Sequence, residues 1–153
     1  MHLTDILRHD MVWHELEARS KETVLAELCG KIAGSMAGLD AHALEMILTE
    51  REKLGSTGIQ DGIAIPHGKI NGIDKMIVAF GRSSSGIDFD AHDGKPTHLF
   101  FVLLAPEFAA GQHLKTLARL SRMLKEASFR KRLLEAGDTD EIYHIIVEED
   151  GKL

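Results

Sequence analysis

A single cysteine, Cys29, is all the thiol chemistry the sequence offers. That excludes an internal disulfide and any thiolate-rich zinc site. Cys29 closes the apolar-periodic run Val24-Leu25-Ala26-Glu27-Leu28-Cys29, so a buried core thiol is the expected reading and a reactive one the alternative. Basic residues are also in short supply. Lys and Arg number 18 against 24 Asp and Glu, a formal net charge of -6. Nucleic-acid binding, which needs a basic face to displace counterions, receives no support. No apolar run approaches the length of a membrane span, so no membrane insertion is expected. The start, Met1-His2-Leu3-Thr4-Asp5-Ile6-Leu7, lacks the basic opening and long apolar stretch of a signal peptide. The expectation is a soluble, cytoplasmic protein. Internal repeats, linkers and low-complexity segments are absent too. The nearest approach is Ser83-Ser84-Ser85-Gly86, which reads as a turn.

What is present is apolar enough to fold. The chain has 153 residues, 44% hydrophobic and 27% charged, which suits one domain with one core and argues against disorder. It also carries nine histidines, and histidine serves as metal ligand, proton carrier or nucleophile as well as surface filler.

The elements follow from spacing. Residues 1–19 are ambiguous, with a short strand around Leu3–Leu7. Ser20 reads as an N-cap, and Val24, Leu25, Leu28, Ile32 and Met36 follow at helical spacing up to Gly38. Asp40 reads as the next N-cap, for a helix through Leu44, Ile47, Leu48 and Arg51 that stops at Gly55. Ile63-Ala64-Ile65 is a brief extended run ended by Pro66. Met76–Gly81 and His98–Ala105 are β-rich. The continuously apolar Leu99–Leu104 is expected of a strand buried on both faces. Gly86–Asp90 reads as another strand or strand end, and Asp93-Gly94 as a turn. In the last third Leu114, Leu117, Leu120, Ser121 and Leu124 share a helix face. Ser128 then caps a helix with Phe129, Leu133 and Leu134, and Asp138 caps one with Ile142, Ile145 and Ile146. Helices, strands, then helices predict an α/β fold: a single-domain, three-layer sandwich with a mixed β-sheet flanked by helices.

One segment stands out, residues 55–68. Three glycines and an apolar run lead into Pro66-His67-Gly68. Proline fixes its own φ and pushes Ile65 toward extended conformations, while Gly68 removes a side chain beside the imidazole. A histidine nucleophile needs such a fixed ring with an unobstructed nitrogen. An exposed turn histidine is the other reading that the local sequence leaves open. Residues 55–62 lack the Gly-Lys-Ser/Thr and G-x-G-x-x-G spacings of nucleotide loops.

The run from Leu48 to Gly58, Leu-Thr-Glu-Arg-Glu-Lys-Leu-Gly-Ser-Thr-Gly, followed by Gly62-Ile63-Ala64-Ile65-Pro66-His67-Gly68, resembles enzyme IIA of the bacterial phosphotransferase system, fructose/mannitol class. Ile87–Ala91, Asp93–Pro96, Leu103–Glu107, Gly111–Lys115 and Leu117–Leu120 extend the likeness over nearly the whole chain. The Gly-Ser-Thr-Gly segment, in a chain without fused IIB or IIC parts, is most similar to the nitrogen-related regulatory branch. Gln60 departs from the pattern, standing where glycine is expected. The resemblance implies that residues 1–153 form one IIA type-2 domain.

It further implies that His67 is the phosphoryl acceptor, charged by an HPr-like phosphocarrier, that His113 is the second active-site histidine, and that Arg51 stabilises the phosphoryl group. General chemistry agrees with these roles. Transfer between two imidazoles needs in-line approach and charge stabilisation. The attacking nitrogen must be unprotonated, a guanidinium offsets negative charge, and a second histidine can donate to a phosphoryl oxygen. Gly111-Gln112-His113 reads as a helix start, which favours a nearby anion. No cofactor or metal is required. Ile59, Phe89 and Phe108 are the apolar candidates for the docking surface, and the acidic net charge suits a carrier with a basic docking face. Without the resemblance, Arg51 reads as a solvated helix residue and His113 as a helix-start residue. His2, His9, His14, His42, His92, His98 and His144 read as structural or surface residues; His92 and His98 flank a turn.

The implied output is phosphorylation-dependent binding of a regulatory target protein. One alternative is sugar uptake, with phosphate passed to a fructose- or mannitol-type IIB domain. Another is a non-catalytic interaction module on the same fold. A histidine-based metal hydrolase lacks its signature spacings.

Overall fold

The computed structural model describes residues 2–153. A single 3-10 turn, Leu3–Asp5, leads into strand β1 (Leu7–Trp13), so the strand expected at Leu3–Leu7 lies further along the chain. β1 hides from pattern reading because its register slips between Leu7 and Val12, leaving Arg8, His9 and Asp10 exposed in succession. Helices α1 (Lys21–Ser35) and α2 (Ala41–Lys53) follow. Their caps are the expected ones: Ser20 accepts from the Thr23 N–H and Asp40 from the Ala43 N–H, both at 3.2 Å. Four strands come next, β2 (Ile63–Ala64), β3 (His67–Ile70), β4 (Ile77–Ile87) and β5 (Thr97–Pro106). Helices α3 (Ala110–Leu124), α4 (Ala127–Glu135) and α5 (Thr139–Asp150) complete the chain. Asp138 caps α5 through the Glu141 N–H. Ser128 caps nothing: α4 has already begun at Ala127, because the chain turns directly out of α3, with the Glu126 N–H on the Met123 carbonyl.

The sheet is mixed. β1 runs parallel to β4, β4 antiparallel to β5, and β2 and β3 both parallel to β5. Ile63 pairs with Leu99 and His67 with Leu103, the same offset, so β2 and β3 are one edge alignment interrupted at Ile65-Pro66. Proline brings no N–H to the ladder, and an edge tolerates it; the Pro66 carbonyl still accepts from the Leu103 N–H. Ser83–Gly86 is not a turn but the irregular end of β4. Glu15 holds it by accepting from the Ser84 N–H and hydroxyl. Gly86 has φ 84°, and a Cβ there would lie 2.8 Å from the His98 ring, so only glycine fits. Gly86 and Ile87 thus close β4 and form no separate strand, whereas Asp93-Gly94 does turn, with the Gly94 N–H on the Ala91 carbonyl.

Helices cover both faces. Phe100, Val102 and Leu104 of β5 pack with α1 and α2 residues such as Leu28, Ile32 and Leu48. Leu99, Phe101 and Leu103 pack with α3, α4 and α5 residues such as Leu120, Phe129 and Ile142. That is the expected three-layer sandwich, and β5 is buried on both faces as its apolar run implies. Two charged groups tie separate elements together. Asp150 accepts from the Leu3 and Thr4 N–H groups and from Arg119 Nε. The buried Arg82 donates to the carbonyls of His14, Leu133 and Ala136, so it caps the end of α4. Cys29 is buried as expected. Burial, followed by the field of Glu45, pushes its thiol up to about 12.

Candidate active site

His67 opens β3 and does not close a strand. Ile65 packs on the α3–α5 side of the sheet and Ala64 on the α1–α2 side. Alternation therefore turns the His67 ring toward α3 and Gly68 toward α2. There is no room for a side chain at Gly68: a Cβ would lie 2.7 Å from Ile47 Cγ2. This close approach seats α2 directly against β3 and brings the end of α2 to the imidazole.

The ring is held at both nitrogens. His67 Nδ1 lies 2.8 Å from the Ile65 carbonyl oxygen. A carbonyl can only accept, so Nδ1 carries a proton, and in the neutral ring Nε2 keeps its lone pair. Arg51 Nε donates toward that Nε2 at 3.3 Å, and Arg51 Nη1 donates to the Gly55 carbonyl at 2.8 Å. On the other side stands His113, its ring centroid 5.4 Å from that of His67 with the planes tilted by 59°. His113 lies in the first turn of α3, a helix start that no side chain caps. It is buried, and its Nδ1 has no hydrogen-bond partner among the described residues. Burial first, then the neighbouring His67 and Lys69, hold its pKa below the usual histidine value, so it is neutral at pH 7.

The structure thus brings Arg51, His67 and His113 together from three segments. A neutral imidazole with a lone pair at Nε2, flanked by a guanidinium and a second imidazole, is suited to accept an electrophilic phosphoryl group. The sequence profile of the phosphoenolpyruvate-dependent sugar phosphotransferase system, EIIA 2, matches residues 5–149. The chain belongs to this family. It is 39% identical over 146 residues to a nitrogen regulatory protein of Bradyrhizobium diazoefficiens, covering 95% of each chain. It is 38% identical over 150 residues to the fructose-specific EIIABC component of Bacillus subtilis, covering 98% of this chain and 24% of that one. Among solved structures, nitrogen regulatory protein IIA-Ntr of Neisseria meningitidis superposes with a TM-score of 0.86 at 35% identity, covering 93% of this chain and 97% of that one. Membership places the chain among phosphotransferases.

Several expected surroundings of the candidate site in this EIIA-2 chain need correction. Phe89 is fully buried, packed edge-on against Phe100 and lying under the Lys21 ammonium, so it is no docking residue. Ile59 is half-buried against the core, whereas Phe108 is 79% exposed. Leu114 is 67% exposed, not on the inner face. The inward stripe of α3 is His113, Thr116, Leu120, Met123 and Leu124; its phase runs from a histidine, so apolarity alone misplaces it by one residue. Leu54, 85% exposed at the end of α2, was not legible as a surface residue near Arg51.

The other histidines stand apart. His9 contacts Asp140, and His14 lies near Thr139. His98 sits within β5, its Nδ1 2.9 Å from the Ser83 carbonyl. His92 Nε2 lies 3.1 Å from the Ser56 carbonyl. Among the described residues no three His, Cys, Asp or Glu side chains are grouped to hold a metal ion. No helix there is long and apolar enough to cross a membrane.

Proposed function

We propose that this protein is a phosphohistidine carrier whose acceptor atom is His67 Nε2, charged in the cytoplasm by an HPr-like phosphocarrier. The observation that carries the reading is the Ile65 carbonyl on Nδ1, which leaves the Nε2 lone pair free to attack beside Arg51. In the transfer the donor's N–P bond breaks and the Nε2–P bond forms, the leaving pair returning to the donor imidazole. The ring gains positive charge, which its Nδ1–H shares with the Ile65 carbonyl. Arg51 gives up its long bond to Nε2 and turns to the phosphoryl oxygens. His113, neutral and buried, positions an oxygen by donating to it. The exposed Phe108, Leu114 and Leu54 supply the apolar part of the docking surface. The whole chain, residues 1–153, acts as one IIA domain.

The likeness to nitrogen regulatory proteins along 95% of both chains favours a regulatory output, in which the charge on His67 decides which target protein is bound. The likeness to a fructose-specific EIIABC component supports the second reading, passage of phosphate to a IIB domain. Incubation with phosphorylated HPr, followed by mass spectrometry, tests the carrier reading. The label is expected on His67 and absent from His67→Ala; undiminished label in that variant refutes the assignment. Transfer from the labelled protein to purified fructose- and mannitol-type IIB domains separates the two outputs.

A further inference from the structure

Next to Arg51 stands a carboxylate that the transfer scheme does not use. The Glu52 side chain is 6% exposed and the Lys21 side chain 17%, with Lys21 Nζ 3.0 Å from Glu52 Oε1. Lys21 also reaches Asp90 at 3.3 Å and lies 4.8 Å from the centre of the Phe89 ring. Glu52 accepts from the Thr57 N–H at 3.0 Å and from the Thr57 hydroxyl. Taking a carboxylate out of water is costly unless its oxygens are fully engaged, and here they are.

Two hydrogen-bonded chains leave this residue and meet at the imidazole. In the first, Glu52 holds Thr57. The Thr57 carbonyl accepts from the Ile65 N–H at 3.1 Å, and the Ile65 carbonyl fixes the proton on His67 Nδ1 at 2.8 Å. In the second, the Glu52 carbonyl accepts from the Gly55 N–H at 3.1 Å. The Gly55 carbonyl then holds Arg51 Nη1 at 2.8 Å, which aims Nε at His67 Nε2. Residues 55–57 are therefore pinned to the end of α2 by one residue, through its backbone at Gly55 and its carboxylate at Thr57.

We propose that Glu52, clamped by Lys21, is a positioning residue whose carboxylate, through Thr57, sets the tautomer of His67, while its main-chain carbonyl only anchors Gly55 behind Arg51. The proposal rests on His67 being the acceptor only for its kinetic consequence; the tautomer is a property of the resting protein. Chemical shifts of the His67 ring nitrogens are measured in 15N-labelled wild type, Glu52→Ala, Glu52→Gln and Thr57→Val. Single-turnover transfer from phosphorylated HPr is followed on the same proteins. Wild type is expected to show one tautomer, protonated at Nδ1. Glu52→Ala is expected to show a tautomer mixture and transfer slowed on the order of ten- to a hundredfold, the scale of a lost near-attack geometry. Glu52→Gln keeps an acceptor for Thr57 and is expected to retain most of the Nδ1–H signature. Thr57→Val, which removes only the hydroxyl, covers the case in which Glu52→Ala does not fold, and is expected to shift the signature partway. A wild-type ring signature in the folded variants overturns the proposal, even if transfer slows, because the carboxylate would then act through its charge. A wild type that takes no phosphoryl group at His67 refutes the carrier reading and leaves the ring signatures to decide the role of Glu52.

Discussion

Phosphorylation of His67 is expected to raise the proton affinity of His113. In the resting protein burial, His67 and Lys69 together hold the His113 pKa below the usual histidine value. The two rings are 5.4 Å apart between centroids. One net negative charge placed at that spacing attracts a proton on His113 by about 3 kcal/mol at an effective dielectric constant of 20. That corresponds to a proton affinity raised roughly a hundredfold. Arg51 offsets part of this, but it bonds to the His67 side of the pair, so the sign survives. The assay is an NMR titration of the His113 ring in the free and the phosphorylated protein, the midpoint being expected to move upward on phosphorylation. By linkage the same coupling works in reverse: the transfer equilibrium with HPr shifts toward the phosphorylated protein as the pH falls through the range between the two midpoints. A midpoint that stays in place or moves down would refute the reasoning, since it would mean that the phosphoryl charge is screened from His113 or points away from it.

The same depressed pKa acts on stability. The unfolded chain binds a proton at His113 near pH 6.5 while the folded one resists it, so stability contributed above that pH is lost as the pH falls below it. The slope is at most about 1.4 kcal/mol per pH unit, and urea titrations of wild type and His113→Gln check it, an unchanged slope in the variant counting against the account. Arg82→Met removes donors from three carbonyls and is expected to cost about 3 kcal/mol in chemical denaturation; a loss below about 0.5 kcal/mol would show that the carbonyls find other partners. Gly68→Ala drives a Cβ to within 2.7 Å of Ile47 Cγ2, on a β-branched helical side chain with little rotamer freedom. It is expected to slow phosphotransfer by separating α2 from β3, with partial rescue by Ile47→Ala, and failure of that rescue would place the strain elsewhere. Cys29, buried with its thiol pushed up to about 12, is expected to resist iodoacetamide in the native protein and to react once unfolded, as read by mass spectrometry.

Legibility in the sequence tracked how directly an element's burial shows in its residue types. β5 was plain because both its faces are covered, so all of Leu99–Leu104 is apolar. The caps Ser20, Asp40 and Asp138 were plain because a cap is a local bond between neighbours. β1 was not, since a bulge breaks its alternation. Nor was the end of β4, where Ser83–Gly86 has turn composition and strand geometry; what holds it there, Glu15 and the pairing of Ile87 with Thr97, is distant in sequence. Phe89 shows the same limit from the other side. A phenylalanine between two aspartates looks like an exposed loop residue, yet Ser56 reaches the Phe89 carbonyl at 2.7 Å and Lys21 covers its ring.

The candidate site divides along the same line. His67, Arg51 and His113 were picked out by motifs, and the fold adds how they meet: an edge strand interrupted by Pro66 presents the imidazole to both helical layers at once. An interior strand could not do this, because its two faces are sealed by separate layers and a side chain reaches only one of them. At the edge, Arg51 comes from the α1–α2 layer and His113 from the α3–α5 layer, both within reach of one ring. Glu52 left no such trace, since a glutamate in Thr-Glu-Arg-Glu-Lys at a helix end reads as solvated. Its burial depends on Lys21, which lies 31 positions earlier in the numbering, and on a loop held by the Ser56 hydroxyl on the Phe89 carbonyl and by His92 beside the Ser56 carbonyl. The candidate site residues are thus readable one at a time, whereas the residue proposed to position them becomes visible only as a pairing of burial with charge. Glu52 is where that pairing is sharpest next to the site.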